Sequence, residues 1–287
     1  MDTFADRAVT EAFYTREYEP SRMIPDHESI RQGWLRSSEI IRAEHPCVLD
    51  VPYGLGERER IDVFPARRYA SPTVIFIHGG YWRALDRRSF SFVAPAFTAL
   101  GAACFIPSYG LAPLTPMESI VLQVQAAIRW VHDNAAQYGA DPDQLFLVGH
   151  SAGAHLLAMA MAAAAEDGAA GANLIRGGLA ISGVYDLRPL LHVPLLNADL
   201  QLTPERAAAL SPVLMRPGGR APLWTSVGGI EPNEFLRQTR LIEREWSEVW
   251  AGHIAMPESN HLSILNHLAS ADNPLNDAIA TLLDSGS

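Results

Sequence analysis

Residues 145–155 read Leu-Phe-Leu-Val-Gly-His-Ser-Ala-Gly-Ala-His, and the chemistry they point to is nucleophilic catalysis by one hydroxyl oxygen. An apolar run enters Gly149-His150-Ser151-Ala152-Gly153, and an alanine-rich stretch follows. A serine held at a sharp strand-to-helix turn presents its oxygen away from the backbone. Such a turn leaves little room two residues before and two after the serine, and glycine occupies both places. Gly-x-Ser-x-Gly alone is a modest signal, since a glycine-rich turn before a helix reads the same way. A second motif upstream raises its weight.

That motif is His78-Gly79-Gly80-Tyr81-Trp82, at the end of the β-branched and aromatic run Val74–Ile77. Acyl transfer at a serine builds negative charge on the carbonyl oxygen, which needs backbone N–H donors that side chains do not screen. Glycines give that access. The candidate donors are the N–H groups of Gly80 and Tyr81, with that of Ala152 just after the serine. His78 is expected to pin the loop rather than to transfer protons. Trp82 and Tyr185 are candidates for contact with a flat substrate, with packing as the alternative for Trp82.

Serine is a weak nucleophile at neutral pH and needs a base, itself oriented by a carboxylate. The chain order expected with this turn is Ser, then Asp or Glu, then His, each in a loop after a strand. His261, in Pro257-Glu258-Ser259-Asn260-His261, follows the last strand-like run and is the candidate base. His253 and His267 fall inside elements. Glu231 is the preferred acid, in the loop after the run 222–228. Asp186, after the run 175–182, and Glu234 stay open as alternatives.

The elements that must position these residues alternate. Runs 46–53 and 59–64 form a hairpin around Gly54-Leu55-Gly56. Strands are expected at 73–77, 102–107, 144–149, 175–182, 222–228 and 248–256. Helices are expected near 87–100, 116–138, 152–165, 233–246 and 262–284, with Asp141-Pro142 breaking the chain before its strand. This alternation implies a mostly parallel sheet with helices on both faces, in one domain over 1–287. Residues 1–45, with Phe4, Phe13, Tyr14, Tyr18 and Trp34, read as a helical segment. Residues 184–218 are irregular and rich in Pro and Leu. Both segments are expected to form a small cap.

The net charge of −10, with no Lys/Arg cluster, argues against nucleic-acid binding. No run reaches membrane-spanning length, and no signal peptide is evident, so a cytoplasmic protein is expected. No His, Cys and carboxylate cluster has metal-ligand spacing, and no phosphate-binding loop stands out, so neither metal nor cofactor is expected. The partner is a small-molecule substrate, and a second copy of the chain remains a candidate.

The His78–Trp82 and Gly149–His155 motifs together resemble those of the arylformamidases (kynurenine formamidases) of the α/β-hydrolase superfamily, neighbours of the hormone-sensitive-lipase-like esterases. Ser108-Tyr109-Gly110-Leu111-Ala112-Pro113, Ile181–Leu187, Glu231–Gln238 and Asn260-His261 extend the resemblance over roughly residues 14–270. The His-Gly-Gly-x-Trp form separates this group from esterases with His-Gly-Gly-Gly. The resemblance implies an α/β-hydrolase fold and hydrolysis of N-formyl-L-kynurenine to kynurenine and formate. It places Ser151 at the nucleophile and His261 at the base, and Glu231 at a position often held by aspartate. A broad carboxylesterase is the alternative reading, and an inactive hydrolase-fold binding module a remote one.

Overall fold

The computed structural model describes residues 4–163, 174–269 and 273–284. Residues 164–165 and 270–272, which the sequence assigns to helices, lie outside them, as does the Phe4 side chain. Eight strands form one sheet: β1 (Val48–Pro52), β2 (Arg60–Phe64), β3 (Ser71–Ile77), β4 (Ala103–Pro107), β5 (Ala140–His150), β6 (Ile175–Ile181), β7 (Leu223–Gly228) and β8 (Trp250–Met256). Their order is β1-β2-β4-β3-β5-β6-β7-β8. β1–β2 and β2–β4 pair antiparallel, and the remaining neighbours pair parallel.

The central strands are apolar along their length because both faces of the sheet are covered. Alternate side chains feed two cores. Ile75, Ile77, Leu145 and Leu147 face one core, whereas Val74, Phe76, Phe146 and Val148 face the other. The first core is completed by α4 (Met117–Asn134), α5 (Ala152–Ala163) and α8 (Asn233–Glu245). The second is completed by α2 (His27–Glu44), α3 (Ala94–Thr98) and α9 (Pro274–Asp284). The described part of α5 is buried from Ala152 to Ala162, which explains its lack of a polar stripe.

Three local expectations change. The stretch near 87–100 is two 3₁₀ turns, Arg87–Ser89 and Ser91–Val93, before the short α3; the side chains of Phe90, Phe92 and Phe97 plug the second core instead of lining one helical face. Asp141-Pro142 does not break the chain before β5. The strand begins at Ala140, and its pairing with β3 slips between Ser71 and Thr73, so the proline sits at an irregularity where no ladder hydrogen bond is lost. The last helix is a 3₁₀ run, Ser263–Ala269, and then α9, which starts at Pro274.

The N-terminal segment comprises α1 (Phe4–Tyr18), a 3₁₀ turn at Pro20–Met23, and α2. Residues 184–218 contain a 3₁₀ turn at Arg188–His192, α6 (Pro194–Leu200), α7 (Pro204–Ala209) and a 3₁₀ turn at Pro212–Leu214. Among the described residues, no helix is long and apolar enough to cross a membrane.

Candidate active site

The parallel strands all point their C-terminal ends to one edge of the sheet, where ligands of such sheets bind. β5 ends there at His150. Ser151 turns the chain with φ +55°, a left-handed conformation that costs a non-glycine residue about 1–3 kcal/mol. The turn persists because Ser151 N–H is tied to Ile181 O at 2.9 Å and the flanking space is closed. A Cβ on Gly153 would lie 1.9 Å from Ile77 O, and one on Gly149 would lie 2.4 Å from Gly153 O. The two glycines of the motif are therefore required by the backbones of β3 and α5.

His261 Nδ1 meets Glu231 Oε2 at 2.6 Å, and His261 Nε2 meets Ser151 Oγ at 3.0 Å. A carboxylate can only accept, so Nδ1 carries the proton and Nε2 presents its lone pair to the serine hydroxyl. The Glu231 side chain is fully buried. Its other oxygen, Oε1, accepts from Ser182 Oγ at 2.5 Å and from Gly228 N–H at 2.8 Å. The ring of Phe235 packs against His261 with centroids 4.5 Å apart. His150 Nε2 donates to His261 O at 2.8 Å and holds the backbone of His261; burial and the neighbouring His261 keep the His150 imidazole well below its usual range, hence neutral.

The alternative acids are engaged elsewhere. Asp186 is paired with Arg188 through both oxygens, at 2.8 and 3.0 Å. Glu234 accepts from Tyr18 Oη at 2.8 Å and pairs with Arg237. Only Glu231 of the three reaches His261.

The His78–Trp82 loop lies directly over Ser151: a Cβ on Gly79 would stand 3.0 Å from both His150 O and Ser151 Cβ. Gly80 has φ +116°, and a Cβ there would meet Ala84 O at 2.2 Å. Tyr81 and Trp82 follow with φ +50° and +56°. His78 is the loop's peg. It stacks between Phe90 and Tyr109, donates from Nδ1 to Gly79 O at 2.7 Å, and burial lowers it to about 4. Tyr109 Oη donates to His78 O at 2.7 Å.

Trp82 and Tyr185 need correction as substrate contacts. Both are fully buried, and neither borders the cavity at Ser151. The left-handed turn at Trp82 sends its ring inward, edge-on to His155 at 4.9 Å. The cavity, of about 180 Å³, has Gly79, Gly80, His150, Ser151 and His261 as its floor. Tyr81, Leu85, Phe90 and Leu262 form the walls, and Pro20, Ser21, Arg31 and Trp34 the roof. The roof thus comes from the N-terminal segment, and none of the described residues of 184–218 borders the cavity. That insertion packs behind α1 through its turn at Arg188–His192. Sequence reasoning missed Ser182 and, in the roof, Arg31 and Trp34; Arg31 and Trp34 stand three apart on α2, a spacing that puts them on one helix face.

The N-terminal segment is fastened to the machinery at two points. Tyr81 Oη donates to Tyr18 O at 2.5 Å. Tyr18 Oη binds Glu234 and accepts from Gln238 Nε2 at 2.7 Å, and both partners lie on the helix that follows Glu231. Among the described residues, no group of His, Cys, Asp or Glu has the arrangement of a metal site.

This sheet order, with a serine at the turn after β5, a carboxylate after β7 and a histidine after β8, defines an α/β-hydrolase. Comparison with known proteins agrees. The BD-FAE family matches residues 61–178. A kynurenine formamidase of Danio rerio is 34% identical over 204 residues, covering 68% of each chain. One of Salmo salar is 28% identical over 256 residues, covering 86% of this chain and 85% of the relative. The crystal structure of a candidate thioesterase from Silicibacter sp. superposes with a TM-score of 0.82 at 30% identity, covering 92% of this chain and 97% of that one. The chain belongs to the kynurenine formamidase family of α/β-hydrolases and is a hydrolase.

Proposed function

We propose that the chain removes the formyl group of an aryl formamide, N-formyl-L-kynurenine, through a covalent acyl-serine, with Ser151, His261 and Glu231 as the catalytic residues. The observation that carries this reading is the unbroken hydrogen-bond relay from Glu231 through His261 to Ser151 beneath the Gly79-Gly80 loop. Family membership supplies the formamide.

In the first half-reaction, the Ser151 Oγ–C bond forms as the hydroxyl proton passes to His261 Nε2. Glu231 stabilises the resulting imidazolium. Backbone N–H groups of Gly80, Tyr81 and Ala152 receive the developing oxyanion. The C–N bond then breaks, and the proton on Nε2 moves to the departing aryl amine. Water attacks formyl-Ser151, gives its proton to His261, and formate leaves as the serine is reprotonated. No cofactor takes part. The aryl ring rests against Trp34, Phe90 and Tyr81 rather than Trp82. The free thiols Cys47 and Cys104 favour a reducing, cytoplasmic setting.

A general esterase acting on small acyl groups is the second reading, favoured by the likeness to the candidate thioesterase. Steady-state kcat/KM for N-formylkynurenine against p-nitrophenyl acetate and butyrate separates the two. A higher value for the formamide is expected; a value far below those of the esters would overturn the formamidase reading.

A further inference from the structure

The roof of the cavity carries a cation that the relay does not use. Arg31 sits in the second turn of α2, half-buried, one helical turn before Trp34, and its side chain borders the same cavity as Ser151. Among the described residues, no hydrogen bond or ion pair occupies its guanidinium. Arg83, the other arginine at the cavity, differs: its Nη1 is held by Asp199 at 2.7 Å and by Leu195 O at 3.0 Å. Among the described residues, no aspartate or glutamate borders the cavity. A protein of net charge −10 thus places an unpartnered cation at its reaction chamber and keeps carboxylates off the walls.

We propose that Arg31 is the specificity residue for a carboxylate on the leaving-group side of the substrate. The inference rests on the acyl-serine reading of the site and sharpens it: the substrates are aryl acyl compounds whose ring also bears an acidic side chain. Gly79 and Gly80 lie close over Ser151, so the acyl carbon sits at the floor. The leaving group must then extend up along Trp34 and Phe90 toward the roof. A planar guanidinium at that end matches a carboxylate through two parallel N–H donors. Walls that exclude part of the solvent strengthen the pairing relative to open water. Arg31 also lies on an element separate from the relay, so selection and bond cleavage draw on different parts of the chain.

The test is a ratio of kcat/KM values for two matched pairs. The first pair is N-formylkynurenine and its carboxamide, which lacks the carboxylate but keeps the α-ammonium. The second is acetoxyphenylpropanoate and its carboxamide. In Arg31→Gln the acid-to-carboxamide ratio should fall by about 10- to 100-fold, the value of a charge-assisted pair, mainly through KM of the acid. Arg31→Lys, which keeps the charge without the fork, should recover part of the ratio, and Arg31→Glu should lower it further. An unchanged ratio in both pairs would overturn the anchor. If the native chain fails to turn over either formamide while the acetate ratio falls in Arg31→Gln, the anchor stands and the formamidase reading fails.

Discussion

The floor and the roof of the cavity are built on opposite terms. The floor joins the ends of β3, β5, β7 and β8, and nearly every polar atom in it has a fixed partner. Glu231 is saturated by Ser182, Gly228 and His261. A Cβ on Gly80, Gly149 or Gly153 would collide with backbone. The roof is the 3₁₀ turn at Pro20–Met23 and the first turns of α2, where Pro20 and Trp34 are buried and Arg31 is half-buried, and Tyr18 just before it is fastened to both the His78–Trp82 loop and α8. The difference separates two tasks. A rigid floor can hold a serine in a strained turn and aim dipoles at a charge that exists only in the transition state. A roof made from a terminal segment can change its side chains without disturbing that geometry.

If the floor carries the chemistry, changes there lower kcat far more than changes in the roof. Ser151→Ala should remove turnover, a loss on the order of 10⁶ in kcat, with thermal unfolding nearly unchanged because alanine keeps the same left-handed backbone. Glu231→Gln keeps the shape but supplies an amide where the His261 Nδ1 proton needs an acceptor. A loss on the order of 10⁴ in kcat is expected, and a loss under tenfold would show that the carboxylate is not part of the relay. Gly80→Ala forces a Cβ against Ala84 O and strains a left-handed backbone. Its cost should be about 10²–10³ in kcat with little change in KM, as for a lost oxyanion donor.

The packing beneath the floor should also be acid-sensitive. Burial lowers His78 and His155 from 6.5 to about 4 in the folded protein. The unfolded chain binds the extra protons first, so each histidine's contribution is intact above about pH 6.5 and is lost as pH falls toward 4. That amounts to about 3 kcal/mol per histidine. Urea midpoints measured between pH 7 and pH 4.5 should fall steeply; a flat profile would contradict neutral, buried imidazoles. The smallest effect belongs to the roof. Trp34→Leu should raise KM for an aryl formamide about tenfold, more than it lowers kcat. A kcat effect exceeding the KM effect would erase the distinction between the two regions.

The sequence exposed the floor more fully than the roof. Local rules govern the floor: a glycine bracket around a serine, a glycine pair after a buried strand, and a fixed chain order for acid and base. Those rules brought Ser151, Glu231 and His261 to one place and gave the sheet its class. They preferred Glu231 but left Asp186 and Glu234 open, because what separates the three lies in partners elsewhere. Asp186 is claimed by Arg188 two residues on, but Glu234 is claimed by Tyr18 from the far end of the chain. The same limit misplaced the aromatic wall. Trp82 adjoins the reactive loop in sequence, yet its backbone turns the ring toward His155. Trp34 is remote in sequence and near in space, held by its indole N–H to Asn266 Oδ1 at 2.8 Å. The 184–218 insertion read as a lid because it is irregular and proline-rich, but the 3₁₀ turn at Pro20–Met23 and the start of α2 lie over the cavity instead.

The central claim is that one hydroxyl, activated by the Glu231–His261 relay, takes up the acyl group. Reacting the folded protein with a fluorophosphonate and mapping the adduct by peptide mass spectrometry tests it most directly. The account predicts one adduct, on Ser151, formed rapidly in the native chain and on the order of 10³–10⁴ more slowly in Glu231→Gln. No adduct on the folded native chain, or an adduct at another residue, would contradict it.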